Sequence, residues 1–254
     1  MFQKYRKNVF SQNGEDGVLS EILKRLKLKS KNNWCCEFGA WDGIHGSNTF
    51  NLVKNYNFNA VYIEGDKKKY LDLLNTGKKF KKIISFNKFV TYKNNSPKSL
   101  DKILKKTNII KNFDVLSIDI DSFDLAVWKS LKKYRPKIVI IEINSGILPG
   151  VRQIHGSGKI GNSFTSTVEL AKKKNYQLVC HTGNCVFIDK KYSKKIMINK
   201  KFLNNNNVDL LFDKSWFNKK EYLLKKILKI LLPKKIIELL ASFKNKVKKW
   251  TIKI

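Results

Sequence analysis

The stretch Cys35-Cys36-Glu37-Phe38-Gly39-Ala40-Trp41-Asp42-Gly43 constrains the fold of this chain more than any other. A short apolar run ends in an acid, opens into a glycine turn, runs polar to Ser47 and resumes with helix-compatible residues from Asn48 to Val53. That is the pattern of a strand, a tight turn and a helix, with the turn at the strand's carboxyl end, where open α/β sheets seat their ligands. Glycines serve there because so tight a turn needs positive φ, or a backbone close enough to touch a ligand. The dinucleotide fingerprint G-x-G-x-x-G is not met, since Glu37 stands at its first position and the following glycines are spaced differently. A carboxylate at the strand tip would repel a pyrophosphate but suits a cationic ligand.

The rest of the chain alternates in the same way. Ser11-Gln12-Asn13-Gly14-Glu15-Asp16-Gly17 precedes a helical face of Val18, Ile22, Leu23 and Leu26. Asn13 and Asp16 there suit either a helix N-cap arrangement or a polar turn folded over a ligand. Strands are expected at Ala60–Glu64, Lys82–Phe86, Phe113–Asp119 and Lys137–Ile143, and helices at Lys67–Leu74, Leu100–Leu104, Leu125–Leu131 and Ser163–Lys174. Tyr176–His181 and Cys185–Ile188 read as a closing hairpin around Thr182-Gly183-Asn184. Such alternation predicts an α/β, Rossmann-like doubly wound sheet. The stretch from Asn144 to Asn162 holds five glycines and no periodicity, so it reads as an acceptor-binding loop or lid carrying Arg152 and His155. The expected divisions are an N-terminal turn and helix (1–30), a catalytic domain (31–200), an Asn-rich linker (201–213) and a basic amphipathic tail (214–254).

Acids are scarce, 20 against 52 Lys and Arg, yet they are not scattered. Glu37, Asp42, Glu64, Asp66, Asp119, Asp121, Asp124 and Glu142 all fall at or just after expected strand ends, which parallel strands gather on one rim. Like charges repel there, so a cationic ligand or a metal ion would account for the cluster. Asp42, Asp66 and Asp124 also suit capping of the helices that follow. Glu64 lies 27 residues beyond Glu37, close to the interval at which such folds set an acid against a ribose diol. Asp119, Asp121, Glu142 and Asn144 offer hard oxygen donors that would suit magnesium.

The order Glu37-x-Gly39-x-x-x-Gly43, Glu64-Gly65-Asp66, Ser117-Ile118-Asp119-Ile120-Asp121 and Ile141-Glu142 resembles class I S-adenosylmethionine-dependent methyltransferases, most of all the FkbM-like group. The resemblance covers roughly residues 10 to 190. It departs from the usual FkbM strings at Trp41-Asp42 and at Asp121-Ser122. It implies about seven strands, the last antiparallel, with S-adenosylmethionine as cofactor. Glu37, Gly39, Ala40, Asp42 and Gly43 would meet its methionine moiety, and Glu64, with Gly65 and Asp66 beside it, its ribose. Asn87 and Lys88 would flank the adenine, and Asp119 would lie beside the methyl group. The acceptor it implies is a hydroxylated small molecule or glycan methylated on oxygen, with Asp119 or Asp121 as base and His155 third.

The net charge of +32 admits two further readings: a nucleic-acid methyltransferase, or a non-enzymatic lysine-rich binding protein on a degenerate fold. Only Arg6, Arg25, Arg135 and Arg152 are arginines, which weakens the case for phosphate recognition. The fourth strand also lacks the Asn/Asp-Pro-Pro-aromatic string of amino-group methylation on bases. In the tail, 13 lysines stand against Glu221 and Glu238, and apolar residues recur at helical spacing. Residues 219–254 therefore suit an anionic membrane surface. Without a visible signal peptide or an apolar run long enough to span a bilayer, the expected location is cytoplasmic, peripheral on the inner face of a membrane. The four cysteines, with no C-x-x-C pair, are expected to be reduced core thiols.

Overall fold

The computed structural model describes residues 2–27, 32–197 and 205–216. Seven strands form one sheet: β1 (Trp34–Phe38), β2 (Asn59–Glu64), β3 (Ile83–Asn87), β4 (Val115–Ile118), β5 (Ile138–Glu142), β6 (Tyr176–His181) and β7 (Asn184–Asp189). Their order is β3-β2-β1-β4-β5-β7-β6; the first five are parallel, and β7 runs antiparallel between β5 and β6. The order reverses between β1 and β4, so a crevice opens at their carboxyl ends.

The sheet is covered on both faces, which is why its central strands are apolar almost throughout. Strand alternation sends Cys36, Phe38, Val61, Ile63, Leu116, Val139 and Ile141 to one face. There they pack on α4 (Leu100–Leu104), α5 (Asp124–Ser130) and α6 (Phe164–Lys173), with Trp128 fully enclosed. Cys35, Ala60, Tyr62, Val115, Ile138 and Ile140 face α1 (Glu15–Leu26), α2 (Phe50–Tyr56) and α3 (Lys67–Lys79) instead. All four cysteines are buried and free.

Helix starts differ in part from the sequence reading. Gly14, at φ 93°, is the N-cap of α1, and neither Asn13 nor Asp16 caps it. The Asp16 carboxylate turns back and accepts the N–H groups of Val9, Phe10 and Ser11, which ties the N-terminal turn to the helix it precedes. Asp66 does cap α3, accepting from the N–H groups of Lys68 and Lys69. The stretch 201–213, expected as a linker, packs on the domain where it is described. A 3-10 segment at Asn205–Leu211 leads to Leu211 and Phe212, 2% and 4% exposed, and Phe212 stacks on His181. The amphipathic helices expected at 217–254 lie outside the described residues. Among the described residues, no helix is long and apolar enough to cross a membrane.

Candidate active site at the carboxyl edge of the sheet

The glycine turn after β1 is built for close approach. Gly39 has φ 78°, and a Cβ placed on it would stand 1.6 Å from the carbonyl oxygen of Asp119. Only glycine lets the tips of β1 and β4 come together there. The Gly39 and Ala40 N–H groups both donate to the Ile63 carbonyl, which fastens the turn to β2. Glu64, 7% exposed, locks the other side: its Oε2 accepts from Trp41 N–H and its Oε1 from Asp66 N–H, each at 2.8 Å. Each oxygen keeps a second lone pair. Asn87 donates through Nδ2 to the Glu64 and Gly65 carbonyls, and the Lys88 N–H donates to Glu64 as well. Phe89 lies so close over Gly65 that a Cβ there would meet its ring at 2.3 Å.

Glu37 is the residue whose placement sequence reasoning did not foresee. It shares a pleat face with Cys35, so its side chain passes under the turn to the start of α2. Its carboxylate accepts from Ser47 Oγ and Thr49 Oγ1 at 2.6 Å and from Asn48 N–H at 3.0 Å. Burial raises its pKa, and these hydrogen bonds oppose the rise. Asp42 likewise serves its own turn, accepting from the Ile44 and His45 N–H groups and pairing with His45 Nδ1. The N-cap of α2 is Thr49. Asp124 opens α5 and accepts from the Ile120 and Ser122 N–H groups.

Beside this turn is a pocket of about 450 Å³. Asp119, Asp121 (φ 55°) and Glu142 converge in it with carboxylate oxygens within 4.8 Å of one another. Burial, then the neighbouring carboxylates, pushes both Asp119 and Glu142 above the usual carboxylate range. The two carboxyl groups titrate as one pair. Asn144 turns into its own loop, with Oδ1 accepting from Gly146 N–H and Nδ2 donating to the Ile160 carbonyl. His155 stands on the rim outside the pocket lining, its Nδ1 accepting from Gly161 N–H and its ring packed edge-on against Phe123.

The N-terminal turn does fold over the pocket. Gln12, Asn13 and Glu15 line it, and glycines at 46 and 183 give them room: an added Cβ would meet Gln12 Nε2 at 2.7 Å and Asn13 Nδ2 at 3.0 Å. Glu15 is buried and accepts from Thr182 Oγ1 and Asn184 Nδ2. Trp216 forms another wall, its ring over Gly183. No motif or spacing pointed to Trp216. Ser145 and buried His181 touch at 2.8 Å, but the hydrogen bonds set their roles. Asp213 N–H donates to His181 Nδ1, so Nε2 carries the hydrogen and donates to Ser145, whose hydroxyl donates to the Gly183 carbonyl. That histidine has no lone pair left to activate the serine.

Among known structures, TrmK from M. capricolum, solved with the cofactor product S-adenosyl-homocysteine, matches at 17% identity and a TM-score of 0.46. That match covers 90% of this chain and 95% of that one. The N-terminal domain of EvdMO1, solved in the presence of SAH and D-fucose, matches at 10% identity and a TM-score of 0.44, over 72% and 84% of the two chains. The CurJ carbon methyltransferase matches at 8% and 0.48, over 74% and 56%. No curated protein matches the chain. The model of the methyltransferase FkbM domain matches residues 24–178, more than half of the chain and every strand from β1 to β5. This chain therefore belongs to the FkbM methyltransferase family and is an S-adenosylmethionine-dependent methyltransferase.

Proposed function

We propose that the enzyme methylates a hydroxyl oxygen of a sugar or glycoconjugate, and that its acceptor is uncharged or cationic. The lining of the pocket carries this reading. Although the chain is rich in lysine, no Lys or Arg lines it among the described residues; five carboxyl groups, several amides and one tryptophan do. Amides and carboxylates are hydrogen-bonding partners for hydroxyl groups, and an indole face suits the C–H face of a sugar ring. A phosphate or carboxylate would meet only like charge. This also counts against a nucleic-acid acceptor.

The turn between β1 and β2 fits the cofactor. No Cβ intrudes at Gly39, no cationic side chain among the described residues caps the Glu64 carboxylate, and the Phe89 ring offers an apolar face beside Asn87. Glu64 would hold the ribose through its free lone pairs, the Gly39–Gly43 backbone would meet the methionine moiety, and Asn87 to Phe89 would flank the adenine. Glu37 acts at one remove, by holding the chain that carries Asn48. Once bound, S-adenosylmethionine supplies a methyl group on a positive sulfonium.

The chain's own task is to orient the hydroxyl and take its proton. Asp119 is the base placed for it: it lines the pocket beside Asp121 and Glu142, and burial raises its basicity. Asp119 would take the hydroxyl proton as the acceptor oxygen bonds to the methyl carbon and the bond from that carbon to sulfur breaks, with S-adenosylhomocysteine as the leaving group. A magnesium-assisted version would draw on Asp119, Asp121 and Glu142, whose oxygens lie close enough to share one ion. Asn144 is already committed to its loop.

Calorimetric titration with S-adenosylmethionine, with and without magnesium, tests the cofactor site. Micromolar binding is expected, weakened about ten-fold or more by Glu64→Ala, since ribose hydrogen bonds to a charged group are each worth about 1.5–3 kcal/mol. Transfer of labelled methyl to matched neutral, amino and uronic glycosides tests the acceptor. Preference for the uronic or a phosphorylated member would overturn the reading.

A further inference from the structure

Of the twelve large apolar side chains exposed among the described residues, five (Trp41, Phe89, Tyr92, Phe123 and Ile154) lie on the loops that follow β1, β3, β4 and β5 at the carboxyl edge. Three of these loops meet across the cleft mouth. Tyr92, after β3, lies 5.2 Å from Phe123, after β4, and Phe123 lies 4.8 Å from the ring of His155, after β5. Tyr92 is 42%, Phe123 40% and the adjoining Ile154 56% exposed, so this row buries little of itself against the protein. The flanking charge is basic. The stretch from Lys88 to Lys98 holds three exposed lysines and no acid, and Lys67, Lys68 and Lys69 open α3 on the same edge. The Asp66 carboxylate among them already accepts two backbone N–H groups, and Lys69 Nζ stands 5.7 Å from the Trp41 ring.

We infer that this rim is a docking surface for an anionic membrane, set so that the pocket mouth faces the lipid headgroups. Aromatic and aliphatic side chains framed by lysines suit that interface. The rings enter the headgroup boundary while the lysines reach the phosphates with their stems lying along apolar surface. A second copy of the chain is a poor occupant, because a two-fold contact would press the same lysines together. A single-stranded nucleic acid is also a poor one. Ile154, the most exposed member of the row, offers no stacking face for a base. The surface rests neither on the methyl-transfer reading nor on residues 217–254, so its test must separate it from both.

The native cysteines are all buried, so a cysteine introduced by Ile154→Cys takes an environment-sensitive dye selectively in the full-length protein. The vesicles are phosphatidylcholine with one third phosphatidylglycerol, with and without nitroxide-labelled lipid. The dye should shift to the blue on these vesicles and be quenched by the nitroxide. The same dye placed by Met197→Cys, an exposed site following β7 at the opposite edge, should not respond. The triple variant Tyr92→Ser, Phe123→Ser, Ile154→Ser should lose about ten-fold or more in vesicle partitioning. Its S-adenosylmethionine affinity and melting temperature should stay at wild-type values. Vesicle binding without a response at position 154, unchanged partitioning of the triple variant, or no vesicle binding at all would each overturn the inference. So would tighter binding of oligo-dT than of vesicles with loss in the same variant.

Discussion

Gly39 shows how little freedom one residue of this site has. Its φ of 78° and the Asp119 carbonyl 1.6 Å from where a Cβ would sit impose two separate penalties on Gly39→Ala. The left-handed backbone alone costs about 1–2 kcal/mol, and the overlap forces β1 and β4 apart. The variant should melt well below wild type and bind S-adenosylmethionine no better than background, as scanning fluorimetry and calorimetry would show. A melting curve unchanged by the substitution would mean that the turn is not as close-packed as described. His181 makes a prediction of the opposite kind, in pH. Buried and holding its only ring hydrogen on Nε2, it would have to place a second hydrogen against the Asp213 N–H on becoming charged. Burial lowers its pKa to about 4 from an ordinary 6.5. The folded state therefore binds fewer protons than the unfolded chain between these values. Its stabilising effect is complete above pH 6.5 and lost as pH falls to about 4, on the order of 3 kcal/mol. Urea unfolding from pH 7 down to pH 4.5 should show this slope, and His181→Phe should flatten it. Equal slopes in both proteins would assign the acid sensitivity elsewhere.

Among the elements, the strands and the helices between them were legible because apolar runs and acids at their ends mark them in the sequence. The convergence of Asp119, Asp121 and Glu142 follows from the same pattern. The two-residue period also held information that reading by strand ends missed. Counting forward by two from Cys35, Tyr62, Val115 and Ile140 puts Glu37, Glu64, Ser117 and Glu142 on one face of the sheet, the face that packs on α1 to α3. This sends Glu37 beneath α2. The strap at 205–216 was not legible, because an asparagine run and two 3-10 turns carry no periodicity. Its attachment is tertiary. Gln3 donates to the Leu211 carbonyl, Arg6 pairs with Asp213 at 2.6 Å, and Phe212 stacks on His181 with centroids 4.4 Å apart. Phe212→Ala should therefore cost about 3–5 kcal/mol, the range for a buried phenylalanine. It should also raise hydrogen exchange in both 205–216 and the N-terminal turn. A loss confined to 205–216 would show that the strap does not brace the turn over the pocket.

For the whole molecule the charge balance sets up a contest that salt can decide. Five ion pairs between Lys or Arg and a carboxylate are formed among the described residues, and several are partly open to water, such as Arg152 with Glu169. Screening weakens such pairs, but each exposed one is worth only about 0–1 kcal/mol. Against them stands the mutual repulsion of a +32 chain, which the folded state concentrates and the unfolded state relieves. At about 0.1 M salt the screening length is about 10 Å, shorter than the distances over which most of these lysines repel. Repulsion should therefore lose more than the pairs do. Raising sodium chloride from about 20 to 300 mM should raise the melting temperature by roughly 2–4 °C for each kilocalorie of relief. Calorimetric scans across that range would check it, with sucrose at matched osmolality as the uncharged control. A melting temperature that falls with salt would show that the ion pairs, few as they are, outweigh the lysine surface.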